Sequence, residues 1–170
     1  MAIHRRNGGP DTNLYEDHVG SCTMRICYPS ISSCISITGV SAGGLVGTHL
    51  TCFTPIAEVD QAFQFMRVGG ASGCQNFYVI GRFAMFKPNA PAEINSRKKI
   101  RNKIRATLNA HAAVHFYDTS AHGEVHLFVE RVAVGVEFFR IASAGNFVPG
   151  VAYPAFAGRT EIPSGDFVVR

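Results

Sequence analysis

SSCISITGVSAGGLVGTHLT, residues 32–51, is the stretch whose reading decides the fold. Within it, CISITG (residues 34–39) and the start of LVGTHLTCF (residues 45–53) are apolar and β-branched, and VSAGG between them is turn-forming. The pattern predicts an antiparallel hairpin. Cys34 opens its first strand and His49 lies late in its second, so folding the hairpin returns the two alongside each other.

Downstream, TPIAEVDQAFQFMRVGG predicts a helix with Thr54 as N-cap and Pro55 at the first helical position, where a missing N–H costs nothing. Ile56, Val59, Phe63 and Met66 recur at helical spacing, and Gly69 and Gly70 end the run. CQNFYVIGRFAMF (residues 74–86) reads as one long strand, or two broken at Gly81, and KPNAPAEI as a Pro-rich connector. A second helix is expected over residues 94–110, with Ile100, Ile104 and Leu108 along one face. AAVHFYDT, EVHLFVERV and VGVEFFRIA read as three more strands, the first two joined across SAHG. The tail from about residue 144 is rich in Gly and Pro and ends in a short strand, DFVVR.

Upstream, residues 1–20 are polar, with NGGPDTN in their middle, and read as a flexible or draped lead-in. The expected architecture is α+β: a largely antiparallel β-sheet or β-sandwich with two helices packed outside, forming a single domain over residues 21–170.

Composition bounds the function. A chain of 170 residues, 46% of them hydrophobic, can bury one good core. Charged residues are only 16%, against roughly 25% in an average soluble protein. No apolar run approaches the roughly 20 residues a membrane-spanning helix needs. MAIHRRNGGPDTNLYEDH has two arginines but no apolar stretch after them, unlike a classical secretory signal. The expected location is the cytoplasm as synthesised, or another cell reached without a cleavable signal. The five cysteines, all in the first half, then read as reduced thiols.

A cysteine attacks a carbonyl carbon as thiolate, which near neutral pH needs a nearby base or cation. His49 is the natural partner for Cys34. The backbone N–H groups of Ser33 and Cys34, where a strand begins, are candidates to meet a developing oxyanion. The small turn residues 41–44 leave room for a polypeptide substrate. Against this stands the plain alternative that a strand cysteine is commonly just a small buried hydrophobe.

The hairpin resembles the active-site hairpin of the chemoreceptor glutamine deamidases (CheD). It has Ser-Cys at a small-residue turn, a short strand, a Gly-containing turn, and a strand ending in a Gly-x-His step, here Gly47-Thr48-His49. The same Cys-then-His order resembles the catalytic domains of cytotoxic necrotizing factor type toxins and the protein N-terminal asparagine amidohydrolases. The element order over residues 21–140 follows the deamidases as well. The resemblance implies Cys34 as nucleophile and His49 as acid and base, acting on a glutamine of a target protein through a thioester, with no cofactor. It departs at Tyr28, where the family usually carries a Thr six residues before its Cys to orient the histidine. Ser30, Ser32 or a main-chain carbonyl of the CYPSISS loop are the alternatives for that role. The setting implied is a bacterial effector or a regulator of signalling.

Eight of the 16 basic residues lie between Arg82 and Arg105 against one acid, Glu93. Arg97, Lys98, Arg101 and Arg105 are candidates for docking a protein partner, or simply a solvated helix face. No aromatic interleaving supports nucleic acid. His111 with His115, and His122 with His126, are each four apart but straddle predicted element ends, so no metal site is expected. RVGGASG lacks the Lys-Ser/Thr ending of a phosphate loop. Two readings remain: a cysteine protein glutamine deamidase, and a non-enzymatic binding or self-assembling module in which Cys34 and His49 are core residues.

Overall fold

The computed structural model describes residues 3–7, 9–142 and 158–169. It is an α+β structure with two mixed sheets. The elements in chain order are β1 (His4–Asn7), β2 (Asp11–Asn13), β3 (His18–Cys22), β4 (Arg25–Ile31), β5 (Cys34–Ser41), β6 (Gly44–Thr51), α1 (Ile56–Val68) and β7 (Asn76–Gly81). They continue with α2 (Phe83–Asn89), α3 (Arg97–Thr107), β8 (Ala113–Asp118), β9 (Val125–Arg131), β10 (Val136–Ala142), β11 (Thr160–Glu161) and β12 (Val168–Val169).

The larger sheet runs β1-β3-β6-β5-β7-β8-β12 and the smaller runs β11-β10-β9-β4-β2. Pairing is mostly antiparallel, as expected. The exceptions are β1 with β3, β2 with β4, and β7 with β8. Strand alternation divides the larger sheet. Ile35, Ile37, Val46, Leu50, Phe77, Val79, Val114 and Phe116 face a core shared with Val59, Phe63 and Met66 of α1, Phe83 and Phe86 of α2, and Ile100 and Ile104 of α3. Fully burying each such side chain is worth about 1.5–3 kcal/mol. The opposite face sends Cys34, Leu45 and Ile80 into a second core with Ile26, Tyr28, Leu127 and Val129 of the smaller sheet. The layers are therefore helices, larger sheet, smaller sheet.

The hairpin forms as read, its first strand running on to Ser41 and its second spanning Gly44–Thr51, short of the expected Phe53, so that only Ala42 and Gly43 make the tip; α1 keeps its apolar spacing. Other expectations need correction. Among the described residues there are three α-helices where two helices were expected, because the run after Gly81 leaves the sheet. The Arg82 N–H donates to the Cys34 carbonyl at 3.3 Å, and Phe83 and Phe86 then bury at helical spacing as α2. Pro55, not Thr54, is the N-cap of α1 and has no side-chain cap, since the Thr54 hydroxyl is engaged elsewhere. The second expected helix is shorter: Ser96 caps α3 by accepting from the Lys99 N–H, leaving Ile94 outside. β8 and β9 do not pair; the SAHG stretch carries the chain from one sheet to the other.

The lead-in is built into both sheets as β1, β2 and β3. At the other end, β11 joins β10 in the smaller sheet and β12 joins β8 in the larger, with Ile162 and Phe167 buried in the core between. The expected terminal strand is thus present, and the Gly/Pro-rich part of the tail over residues 143–157 lies outside the described residues.

Candidate active site

β5 and β6 pair with Cys34 opposite Thr51 and Ser36 opposite His49. Opposed residues point to the same face, so Cys34 and His49 are diagonal neighbours on the face turned toward the smaller sheet. Such positions have Cα atoms about 7–8 Å apart, with side chains closer. Both residues are fully buried.

The N-terminal segment covers this face. The His49 Nδ1–H donates to the Leu14 carbonyl at 2.9 Å. A carbonyl only accepts, so Nδ1 carries the ring proton and Nε2 holds the lone pair. Nε2 is buried with no hydrogen-bond partner. The His49 carbonyl accepts from the Asp17 N–H at 2.8 Å, and Asp17 Oδ1 accepts from the Thr54 hydroxyl at 2.6 Å. The same hydroxyl oxygen accepts from the Thr51 N–H at 2.9 Å. The strand carrying His49, the start of α1 and the lead-in are thereby tied together at one corner.

The Cys34 thiol donates to Glu16 Oε1 at 3.2 Å. Burial pushes the thiol pKa up to about 12, with the Glu16 charge and its acceptance of the S–H adding in the same direction. The main-chain amides of Ser33 and Ser32 act oppositely and favour the thiolate. Burial lowers the His49 pKa to about 4; the Leu14 carbonyl opposes this and the His18 charge adds to it. At neutral pH the resting pair is thiol and neutral imidazole.

His49 belongs to a row that sequence reading missed. His4 pairs with His18 across β1 and β3, and His18 pairs with His49 across β3 and β6. The His4 and His18 rings are 5.3 Å apart, and the row runs from an exposed edge to a buried centre.

The candidates for orienting the histidine are corrected. Tyr28 sends its hydroxyl to Thr38 Oγ1 at 2.6 Å and meets His49 only ring to ring, edge-on at 6.0 Å between centroids. Ser30 has φ 56° and its N–H donates to His126 Nδ1 at 3.0 Å, away from His49. Ser32 and Ser33 serve the sulfur through their backbones. The orienting group is a main-chain carbonyl, but that of Leu14, outside the CYPSISS loop.

The basic cluster is partly committed within the chain. Arg97 pairs with Asp118 at 3.0 Å and stacks over Phe83, and Arg105 donates to the Ala112 carbonyl at 3.0 Å. Lys103 pairs with Asp60. Arg101 is half-buried in the middle of the helix, and Lys98 stays exposed. No group of three or more metal-ligating side chains occurs among the described residues. A cleft of about 320 Å³ lies at the far end of the hairpin, lined by Cys22, Ser41, Gly44 and Gly70 among others, and does not include Cys34.

No family model, characterised protein or solved structure matches the chain, so the likeness to the deamidases rests on the hairpin's own residues.

Proposed function

We propose that the chain is a cysteine-dependent amidohydrolase that deamidates a glutamine side chain on a protein, with Cys34 as nucleophile and His49 as acid and base. The observation that supports it most is the tautomer of His49. Its Nδ1–H is held by the Leu14 carbonyl, which leaves the Nε2 lone pair free on the face that carries Cys34. A core histidine that only packs leaves no nitrogen buried without a partner, because that omission costs about 1–3 kcal/mol. The Ser32 and Ser33 amides against the sulfur support the same reading, since they favour the ionised form.

The chemistry balances without a cofactor. His49 takes the thiol proton as Cys34 sulfur bonds to the carboxamide carbon. The resulting imidazolium passes that proton to nitrogen as the C–N bond breaks and ammonia leaves. Water then adds to the thioester as His49 takes its proton, the C–S bond breaks, and the sulfur recovers the proton. Glutamine and water become glutamate and ammonium, the product acid giving its proton to the ammonia. Substrate binding has to relieve the burial that holds both groups neutral, by taking the place of the Glu16 side chain over Cys34 while the Leu14 carbonyl stays on His49.

A second reading, that the pair is core packing, is favoured by that same burial and by the two opposed pKa shifts. Site-resolved iodoacetamide labelling of the native protein separates the two. An amidohydrolase labels at Cys34 ahead of Cys22, Cys27, Cys52 and Cys74, and loses at least about tenfold in rate in His49→Ala. Labelling of Cys34 no faster than those four, and indifferent to His49, would leave the packing reading.

A further inference from the structure

The residue most at odds with a nucleophilic Cys34 is the one touching it. Glu16 lies in a tight turn over residues 15–18, closed by the His18 N–H donating to the Tyr15 carbonyl at 3.0 Å, with Asp17 in the left-handed region at φ 57°. The chain is anchored on both sides of it. Leu14 is fully buried and receives His49 Nδ1–H; Asp17 is buried and bonded to the His49 carbonyl and the Thr54 hydroxyl. Glu16 itself is largely exposed, yet its carboxylate ends 3.2 Å from Cys34 Sγ. Nothing in the packing demands an acid there. A carboxylate against a thiol opposes ionisation, the reverse of what a permanent positioning residue would do for this nucleophile.

Chemical identity resolves the conflict. A glutamate side chain is the product of glutamine deamidation: the chain length is the same, and oxygen stands where the leaving nitrogen was. We propose that Glu16 is a built-in product mimic, its carboxylate seated in the carboxamide subsite of Cys34, so that this side chain occludes the site until a target's glutamine displaces it. This rests on the amidohydrolase reading and adds the substrate class. The target presents its glutamine from a similarly tight turn, because an anchored turn is what delivers Glu16. The clamp on Leu14 and Asp17 does not depend on the Glu16 side chain, so position 16 can be changed without dismantling the corner.

One consequence is specific to this arrangement. A glutamine placed at position 16 becomes a substrate within the same molecule. Cys34 sulfur bonds to its carboxamide carbon, ammonia leaves with the proton from His49, and water releases the thioester, which returns the wild-type glutamate.

The test is Glu16→Gln, purified and incubated at neutral pH, with the peptide containing residue 16 followed by mass spectrometry. The expected result is a first-order gain of roughly one dalton at that residue with release of ammonia. The rate should not depend on protein concentration, and Glu16→Gln combined with Cys34→Ser should show no conversion. Persistence of the glutamine in a folded variant overturns the product-mimic proposal. Iodoacetamide labelling of Glu16→Ala then shows how far the failure extends. If Cys34 labels about tenfold faster than in wild type and depends on His49, the amidohydrolase reading stands and only the seat assigned to Glu16 is wrong. If Cys34 labels no faster than the other four cysteines with Glu16 removed, and is indifferent to His49, the amidohydrolase reading falls as well.

Discussion

On the helix side of the β5–β6 hairpin, Ile35, Ile37, Val46 and Leu50 pack into the core shared with the helices, and the polar side chains on that face are Thr48, which donates to the His18 carbonyl, and the half-buried Ser41, which donates to the Gly44 carbonyl. On the other side of the same strands stand Cys34, Ser36, Thr38, Gly47, His49 and Thr51, equally buried. Every hydroxyl there has found a partner: Ser36 the Ile80 carbonyl, Thr38 the Tyr28 hydroxyl, Thr51 the Thr54 hydroxyl. The difference teaches that burial alone does not explain this hairpin. A core needs volume, and the first face supplies it. The second face spends its buried positions on groups that must each be compensated, and leaves His49 Nε2 uncompensated.

The contrast can be broken most severely on the apolar face. Leu50→Ala removes a fully buried side chain between β6 and α1, and should lower unfolding free energy by about 2–5 kcal/mol in urea titration. Its loss should be nearly the same at pH 5 and pH 7.5, because no carboxylate or histidine belongs to that core. A strong pH dependence would show that the two faces are not independent.

The polar face should instead respond to acid. His49 is neutral when folded and its pKa is depressed from 6.5 to about 4. Between those values the unfolded chain binds a proton that the fold refuses. The stabilisation is therefore complete above pH 6.5 and is lost as pH falls toward 4, to an extent of about 3 kcal/mol. His49→Asn should flatten this slope. Some slope should survive, since burial also lowers His18, His115 and His126. An unchanged slope in His49→Asn would mean that His49 is not the buried neutral group described.

The finest test concerns the Gly-x-His step. A Cβ on Gly47 would lie 1.9 Å from the Tyr28 hydroxyl and 3.1 Å from the Ile37 carbonyl. Gly47→Ala should displace Tyr28, cost about 1–3 kcal/mol, and disturb the edge-on ring contact with His49. Thermal melts combined with Cys34 labelling check it; a neutral effect on both would show the glycine to be incidental.

Much of this was legible in the residues. The alternation of CISITG, the spacing of Val59, Phe63 and Met66, and the strand runs that became β8, β9 and β10 are local patterns with local causes. That Cys34 and His49 share one face of the hairpin as near neighbours followed from its local pattern alone. The misreadings share another cause. FAMF looked like a continuing strand because its periodicity is ambiguous over so few residues; the end of the sheet at Gly81 decided it. GPDTNLYEDH looked like a lead-in because its contributions to the site are a main-chain carbonyl from Leu14, a main-chain N–H from Asp17 and the carboxylate of an otherwise exposed glutamate. Main-chain groups leave no signature in a sequence.

By itself, then, the sequence determined an α+β chain built on one hairpin and the two residues that hairpin brings together. Short-range turn chemistry and side-chain alternation suffice for that, since the hairpin's contacts close over few residues. Only the tertiary structure decided which nitrogen of His49 is free, that Tyr28 does not hold it, and that Glu16 sits on the thiol. Those facts depend on a segment that returns 18 residues ahead of Cys34 and 35 ahead of His49 to lie across them. What anchors it is the burial of Leu14 and Asp17, which takes shape only once both sheets are in place.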